Sequence, residues 1–231
     1  MIGHSGADKL AQYLSHDNCN LKRLNIAECK LTGRGALSLL SSLKRAALEV
    51  LRADRCNFGG YQISNIVNQA LAVSLIQVFL DNCNLGSKGA IGVAEAVHRN
   101  KYLKVVSLRF NEIDDEAAKY FGYVLERYQT IYLEVLDLSN NNITDASGDQ
   151  LARGIAKNDS LKKLTIKTNE LGENSGKLLV EALQKNTSLQ YLNCEENSID
   201  FRYANKMEIS LRRNRLISEK NEVPNLLKEK R

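Results

Sequence analysis

An eleven-residue motif recurs seven times along the 231-residue chain and constrains the fold more than any other feature of the sequence. The motif reads L-x-x-L-x-L-x-x-N/C-x-L, and its leading leucines stand at positions 21, 48, 75, 103, 133, 161 and 189. A constant period of roughly 20 to 50 residues is typical of proteins that stack one structural unit per period. Seven copies in the same phase, each with Asn or Cys at one fixed offset, therefore predict a repeat domain over residues 1–217.

Each motif predicts a short strand, and the segments between motifs predict helices. In those segments small residues precede apolar residues at helical spacing, as in Gly35 and Ala36 before Leu39 and Leu43. One strand and one helix per period predict an α/β solenoid, a right-handed horseshoe with a parallel sheet on the concave face and helices on the convex face. We expect a terminal capping helix at about 202–214, Pro224 to prevent its continuation, and a basic tail over 218–231.

The motifs resemble those of the ribonuclease-inhibitor-like class of leucine-rich repeat proteins. This resemblance implies the solenoid fold, and it implies that the side chain at the Asn or Cys offset bonds backbone groups of adjacent coils. The side chains at that offset are Cys29, Cys56, Cys83, Asn111, Asn141, Asn169 and Asn197. The resemblance is not specific for function, because the class includes inhibitors, GTPase activators, actin-capping domains, immune-sensor modules and scaffolds.

The five cysteines are expected to be structural. Their number is odd and no CxxC pair occurs, which argues against a disulfide framework or a zinc site and favours a reducing, cytoplasmic setting. Cys194 replaces a strand leucine and is expected in the core, whereas Cys19 is the one thiol expected to be exposed. No run of 18 apolar residues occurs, so we expect no transmembrane segment.

No constellation of residues indicates catalysis or a cofactor. The three histidines, His4, His16 and His98, lie apart in repeat phase, and no phosphate-binding or nucleophile motif occurs. The acidic run Asp114-Asp115-Glu116 falls at a predicted helix N-terminus, where negative charge is stabilising. We therefore predict a protein that is not an enzyme and needs no cofactor or metal.

The net charge of +5 arises in the last segment, because residues 201–231 hold nine basic and four acidic side chains. Arg212, Arg213 and Arg215 on the terminal helix are candidates for an electrostatic contact, and the alternative is simple solvation of an exposed end. Nucleic-acid binding is not expected, since the basic residues do not line a groove. At the front end, Ile2 suggests a face covered by upstream repeats or by another chain.

The concave face is the expected binding surface, because alternate strand residues point outward there. Val50, Phe79, Val105 and Val135 are predicted to form an apolar patch. The residues expected to ring or extend this patch are Arg52, Asp54, Asp81, Arg109 and Phe110. An apolar centre with a charged rim is typical of a protein interface, although valine and phenylalanine also simply favour strands.

The sequence thus predicts a non-catalytic protein-interaction scaffold that belongs to a larger complex. Analogy with cytoskeletal, axonemal or centrosomal components suggests a cytoskeletal or ciliary location in the cytoplasm. Two alternatives stay open. One is a GTPase activator resembling the Ran-specific class, although that class carries an acidic tail and this tail is basic. The other is a tropomodulin-like actin cap, which pairs a short repeat array with a basic terminal helix.

Overall fold

Seven three-residue strands begin two residues after the leading leucine of each motif. The computed structural model describes residues 3–31, 33–44, 46–59, 63–72, 74–128 and 131–228. The strands are β1 Arg23–Asn25, β2 Val50–Arg52, β3 Gln77–Phe79, β4 Val105–Ser107, β5 Val135–Asp137, β6 Lys163–Thr165 and β7 Tyr191–Asn193. They form one parallel sheet in chain order from β1 to β7, so the predicted α/β solenoid is confirmed.

Eight helices alternate with these strands in the described part of the chain. They are α1 Gly3–Leu14, α2 Gly33–Ser42, α3 Ile63–Leu71, α4 Gly86–Arg99, α5 Asp115–Arg127, α6 Gly148–Lys157, α7 Glu173–Lys185 and α8 Phe201–Lys228. A 3-10 turn, Asp145–Ser147, precedes α6. Each helix packs against the next, so the helices form the layer that covers the outside of the sheet.

The core lies between the two layers and is filled by the motif leucines and their apolar substitutes. The central residue of each strand points inward; Leu51, Val78, Val106 and Leu136 are at most 1% exposed. Burying one such side chain stabilises the fold by about 1.5–3 kcal/mol. Leu192 in β7 is only partly buried, because no described strand follows it.

Small residues allow neighbouring helices to approach closely, as the pattern predicts. A Cβ atom added to Gly122 in α5 would lie 2.5 Å from the Gln150 carbonyl oxygen of α6. One added to Gly154 would lie 2.5 Å from the Gly122 carbonyl oxygen. These helices therefore meet backbone to backbone, and a larger residue at either glycine would force them apart.

The motif asparagines bond adjacent coils, which confirms their expected structural role. Asn111 Nδ2 donates to the Leu80 carbonyl at 2.7 Å, and its Oδ1 accepts the amides of Cys83 at 2.9 Å and Leu85 at 3.2 Å. Asn141 and Asn169 make the equivalent bonds one and two coils further along. Buried amides and carbonyls of each turn are thereby satisfied.

The cysteines at the same offset make a weaker version of this bonding, because sulfur is a weaker acceptor of amides than an asparagine oxygen. The thiol of Cys83 donates to the Ala53 carbonyl at 3.1 Å, and that of Cys56 donates to Ile26 at 3.2 Å. The Cys56 amide bonds the Ala53 carbonyl within its own turn. Burial raises the pKa of both thiols, so both stay protonated and able to donate.

The prediction for Cys19 is wrong, and the prediction for Cys194 holds only in part. Cys19 is only 8% exposed. Its amide donates to the His16 carbonyl in the turn after α1, and its side chain lies in the core. Cys194 is only partly buried, since it lies in the last strand-containing coil. Cys29 is likewise partly exposed, in the first coil.

Helix α8 is longer than the predicted capping helix. It runs across residue 217, the predicted end of the repeat domain, and continues through Pro224 to Lys228. The expectation that Pro224 stops the helix is therefore wrong. Proline removes one helical hydrogen bond, and the carbonyl that loses its donor belongs to the exposed Lys220, where water can replace it.

The front of the array begins with α1, whose Ala7 and Leu14 are fully buried. Ile2, on which the prediction of an open front face rests, lies outside the described residues. Within the described part of the chain, no helix combines the length and apolar character that crossing a membrane requires.

Candidate functional site

The concave face carries two rows of outward side chains. Strand register places Val50, Gln77, Val105 and Val135 in one row. Arg52, Phe79 and Ser107 lie side by side in the second row. The polar Gln77 therefore interrupts the predicted apolar patch, and only Val105 and Val135 are direct neighbours. All three valines and Phe79 are half-buried.

Phe79 is covered by Arg52. The guanidinium of Arg52 lies 4.0 Å from the centroid of the Phe79 ring and pairs with the Asp54 carboxylate at 2.8 Å. Stacking of a cation on an aromatic ring stabilises both side chains by about 0.5–1 kcal/mol at an exposed site. Phe79 is thus part of a layered Asp54–Arg52–Phe79 arrangement and does not project as a bare apolar centre.

Asp54 and Asp81 tie successive coils together at the end of the strands. Asp54 accepts the Asp81 amide at 3.0 Å. Asp81 accepts the Ser107 hydroxyl at 2.6 Å and the Arg109 amide at 2.9 Å. Burial raises the pKa of the Asp81 carboxyl, although these hydrogen bonds act in the opposite direction. Both carboxylates, predicted as part of an interface rim, therefore also hold the backbone.

Phe110 is the most exposed apolar side chain on this part of the face, at 49%. Its backbone has φ of +56°, a left-handed conformation that costs a bulky residue roughly 1–2 kcal/mol. Residues at the same place in other coils share this conformation, and they are Glu28, Arg55, Asn82, Asn140, Thr168 and Glu196. Phe110 is the one aromatic side chain in this row, and the Arg109 guanidinium lies 5.5 Å from its ring.

These residues bound a shallow groove of about 480 Å³ at the carboxyl ends of β1 to β4. Its lining includes Arg52, Asp54, Asp81, Arg109 and Phe110, so the structure brings together the predicted rim and the predicted extension of the patch. The exposed ion pair between Arg55 and Glu28 lies along one side of this groove. The groove offers both positive and negative side chains and one exposed aromatic ring, so it can bind a protein surface that has both charged and apolar side chains.

Metal binding finds no support in the described ranges, where no group of three His, Cys, Asp or Glu side chains could hold an ion. The histidine nearest the middle of the array, His98, stacks on Tyr128 with ring centroids 3.4 Å apart.

The three terminal arginines do not form one electrostatic surface. Arg213 donates to the carbonyls of Leu183, Gln184 and Asn186 at the end of α7. Arg215 donates to the Gln190 carbonyl at 2.8 Å and pairs with Glu208. Only Arg212 of the three is exposed, and the other two are half-buried. Arg213 and Arg215 thus cap the last coil, a role that the charge pattern did not predict.

A second asparagine ladder on the helix side was missed by the sequence analysis. Asn100, Asn158 and Asn186 end α4, α6 and α7 and are buried. The side chain of Asn186, for example, donates to Ile155 and Asn158 and accepts from Ser188 and Leu189. The signal was present, because each of the three asparagines stands three residues before a leading leucine.

Comparison with protein families agrees with this architecture. A family model for a leucine-rich repeat matches residues 17–40, 99–122 and 131–152. The human NACHT, LRR and PYD domains-containing protein 5 is 27% identical over 169 residues, which are 71% of this chain and 14% of that protein. Pig ribonuclease inhibitor is 25% identical over 168 residues, 71% of this chain and 37% of that protein. The chain thus spans well under half the length of these relatives.

Two solved structures share the fold at low sequence identity. One is described as leiomodin-1 actin-binding site 2, with a TM-score of 0.61 and 18% identity over 73% of this chain and 96% of that chain. The other is the tropomodulin C-terminal domain of Caenorhabditis elegans, with a TM-score of 0.52 and 14% identity over 94% of this chain and 98% of that chain. At these identities the likeness concerns the fold alone.

Proposed function

Because its repeats and its fold are those of leucine-rich repeat proteins, we propose that the chain is a non-catalytic scaffold that binds a partner protein on its concave face. Domains of this kind are typical of protein–protein interaction, and their curved sheet offers an extended binding surface. The proposed binding groove is the one bounded by Arg52, Asp54, Asp81, Arg109 and Phe110.

The observation that carries this proposal is the exposed aromatic ring of Phe110, at a position where each other described coil has a polar side chain. The left-handed backbone there is common to the repeats, but a half-exposed ring leaves apolar area in water and does not stabilise the isolated fold. Such a ring, placed between Arg109 and the groove, suits a contact residue at an interface. The partner surface would offer an apolar side chain to Phe110 and a carboxylate to Arg109.

A photo-crosslinking experiment tests the proposal. A benzophenone amino acid replaces Phe110 in one variant and the exposed Tyr102 outside the groove in another. We expect position 110 to crosslink a defined partner protein in cells, and position 102 to crosslink it much less. Phe110→Asn, which keeps the left-handed conformation, should weaken binding of that partner by about 30-fold or more. Equal crosslinking from both positions would contradict the proposal.

A second candidate function is actin binding within a cytoskeletal assembly. The observation that favours it is the shared fold with the leiomodin and tropomodulin domains, the second of which aligns over 94% of this chain. Co-sedimentation of the purified chain with actin filaments, and its effect on elongation at either filament end, tests this candidate directly. A cytoplasmic location on cytoskeletal or ciliary structures belongs to the same proposal.

A further inference from the structure

The edge of β7 that faces away from β6 has, along part of its length, backbone groups without hydrogen-bond partners among the described residues. At each of the six strand junctions, two amides just beyond one strand donate to carbonyls of the next coil. In the last junction these are Ile166 to Asn193 at 2.8 Å and Thr168 to Glu195 at 2.9 Å. The equivalent amides of the final coil are those of Cys194 and Glu196. No described residue accepts a hydrogen bond from either, so two backbone donors remain at this edge.

Helix α8 covers the other part of the same edge. The Gln190 carbonyl, which in earlier coils would accept amides of the next strand, accepts Arg215 Nη1 at 2.8 Å. Asn214 Nδ2 likewise donates to the Leu189 carbonyl at 2.8 Å. The array is therefore capped at the start of β7, whereas no described residue covers the backbone donors of Cys194 and Glu196.

A groove of about 440 Å³, lined by both apolar and polar residues, lies beside the open part of the edge. Leu192, Cys194, Met207 and Leu211 are among the residues that line it, and Phe201 at its rim is 74% exposed. In earlier coils the apolar residues of the following strand fill this place. The groove thus combines two backbone donors with room for apolar side chains, which is what strand addition requires.

The rim of the groove is acidic. The side chains of Glu195, Glu196 and Glu208 are 72%, 60% and 61% exposed, although each pairs with Lys167 or Arg215. A second copy of this chain that met the edge about a two-fold axis would bring these carboxylates against their own equivalents, and like charges repel. A basic segment would be attracted.

We propose that the edge of β7 binds an extended basic and apolar segment of a partner protein as an eighth parallel strand. Carbonyl groups of that segment accept the amides of Cys194 and Glu196. Its apolar side chains enter the groove against Met207 and Leu211, and its lysines or arginines face the acidic rim. This surface is separate from the concave groove around Phe110.

Two synthetic peptides taken from the chain itself provide matched probes. The peptide LKKLTIKTNEL, residues 161–171, has the strand pattern and a charge of +2 from three lysines and one glutamate. The peptide LEVLDLSNNNI, residues 133–143, has the same pattern and a charge of −2. We expect the basic peptide to bind at least about tenfold more tightly and to shift the NMR amide signals of Cys194 and Glu196.

Two tryptophan variants on α8 locate the binding site. Ala204 is exposed and lines the groove, so Ala204→Trp should fill it and weaken binding of the basic peptide by about tenfold or more. Asn205→Trp, on the neighbouring exposed position outside the groove, should change affinity by less than about twofold. Weak binding at millimolar peptide, equal binding of both peptides, or unshifted Cys194 and Glu196 amides would overturn the proposal. So would a dimer of the unmodified protein that Ala204→Trp dissociates, because the edge would then bind a second copy.

Discussion

Replacing Asn111 tests how much the asparagine ladder contributes to stability. Asn111 is fully buried and bonds four backbone groups, namely the amides of Cys83 and Leu85 and the carbonyls of Leu80 and Arg109. In Asn111→Ala the two amides lose their acceptor inside the protein. Leaving a buried donor unsatisfied costs about 1–3 kcal/mol, so the two amides together predict a loss of about 2–6 kcal/mol. A domain of this size has about 5–15 kcal/mol of stability in total.

Cys83→Ala provides the matched control at the same offset of the preceding coil. Its thiol donates to the Ala53 carbonyl at 3.1 Å, and toward the Cys56 amide its sulfur is a weaker acceptor than an asparagine oxygen. Removing it leaves a one-atom cavity and a weakly bonded carbonyl, so we expect a loss of about 1–2 kcal/mol.

Urea denaturation followed by far-ultraviolet circular dichroism measures both free energies of unfolding. In Asn111→Ala the amides of Cys83 and Leu85 should also exchange with deuterium faster than in the unmodified protein. The reasoning is refuted if Asn111→Ala loses no more stability than Cys83→Ala, since the bonds to the two amides would then contribute nothing measurable.

Three further variants test the site and the terminal cap. Because burial raises the folded-state pKa of Asp81, its contribution to stability is fully present below the pKa of the unfolded state and declines as pH rises through the folded-state pKa. Asp81→Asn should therefore gain stability relative to the unmodified protein as the pH is raised from about 3.5 to about 7 in urea titrations. Phe79→Arg should lower the free energy of unfolding by about 1–2 kcal/mol, because the stacking on Arg52 is lost and the two guanidinium groups repel each other. Thermal melts measure this loss. A loss above about 4 kcal/mol would show that the Phe79 ring is fully buried. Arg213→Ala should cost about 1–3 kcal/mol because the α7 carbonyls lose their donor, whereas Arg212→Ala should cost less than about 0.5 kcal/mol in the same assay.

The strands and their order were predictable because one periodic pattern determines both. A leucine at motif position four must point inward in every coil, and neighbouring coils share the same period, so strand register follows. The ladder asparagines were predictable for the same reason. Each of these features depends on residues that recur at a fixed offset.

The details of the site depend instead on residues that do not recur. Arg52 covers Phe79 because a long side chain on one strand reaches the ring on the next, and the motif does not specify such pairs. Arg213 bonds α7 because helix α8 turns it toward that helix end, and its charge alone did not indicate this structural contact. Pro224 was expected to stop α8, but proline excludes only one hydrogen bond of a long exposed helix.

Contacts in the described part of the chain connect each coil to the next, helix to helix and strand to strand. A bend of the whole array is therefore shared among many junctions, and each junction rotates only slightly. The distance across the concave groove, from Arg52 in the second coil to Phe110 in the fourth, follows from that curvature. A partner whose surface is somewhat flatter or rounder can be accommodated by elastic flexing, with every strand hydrogen bond kept, and its binding would in turn stiffen the array.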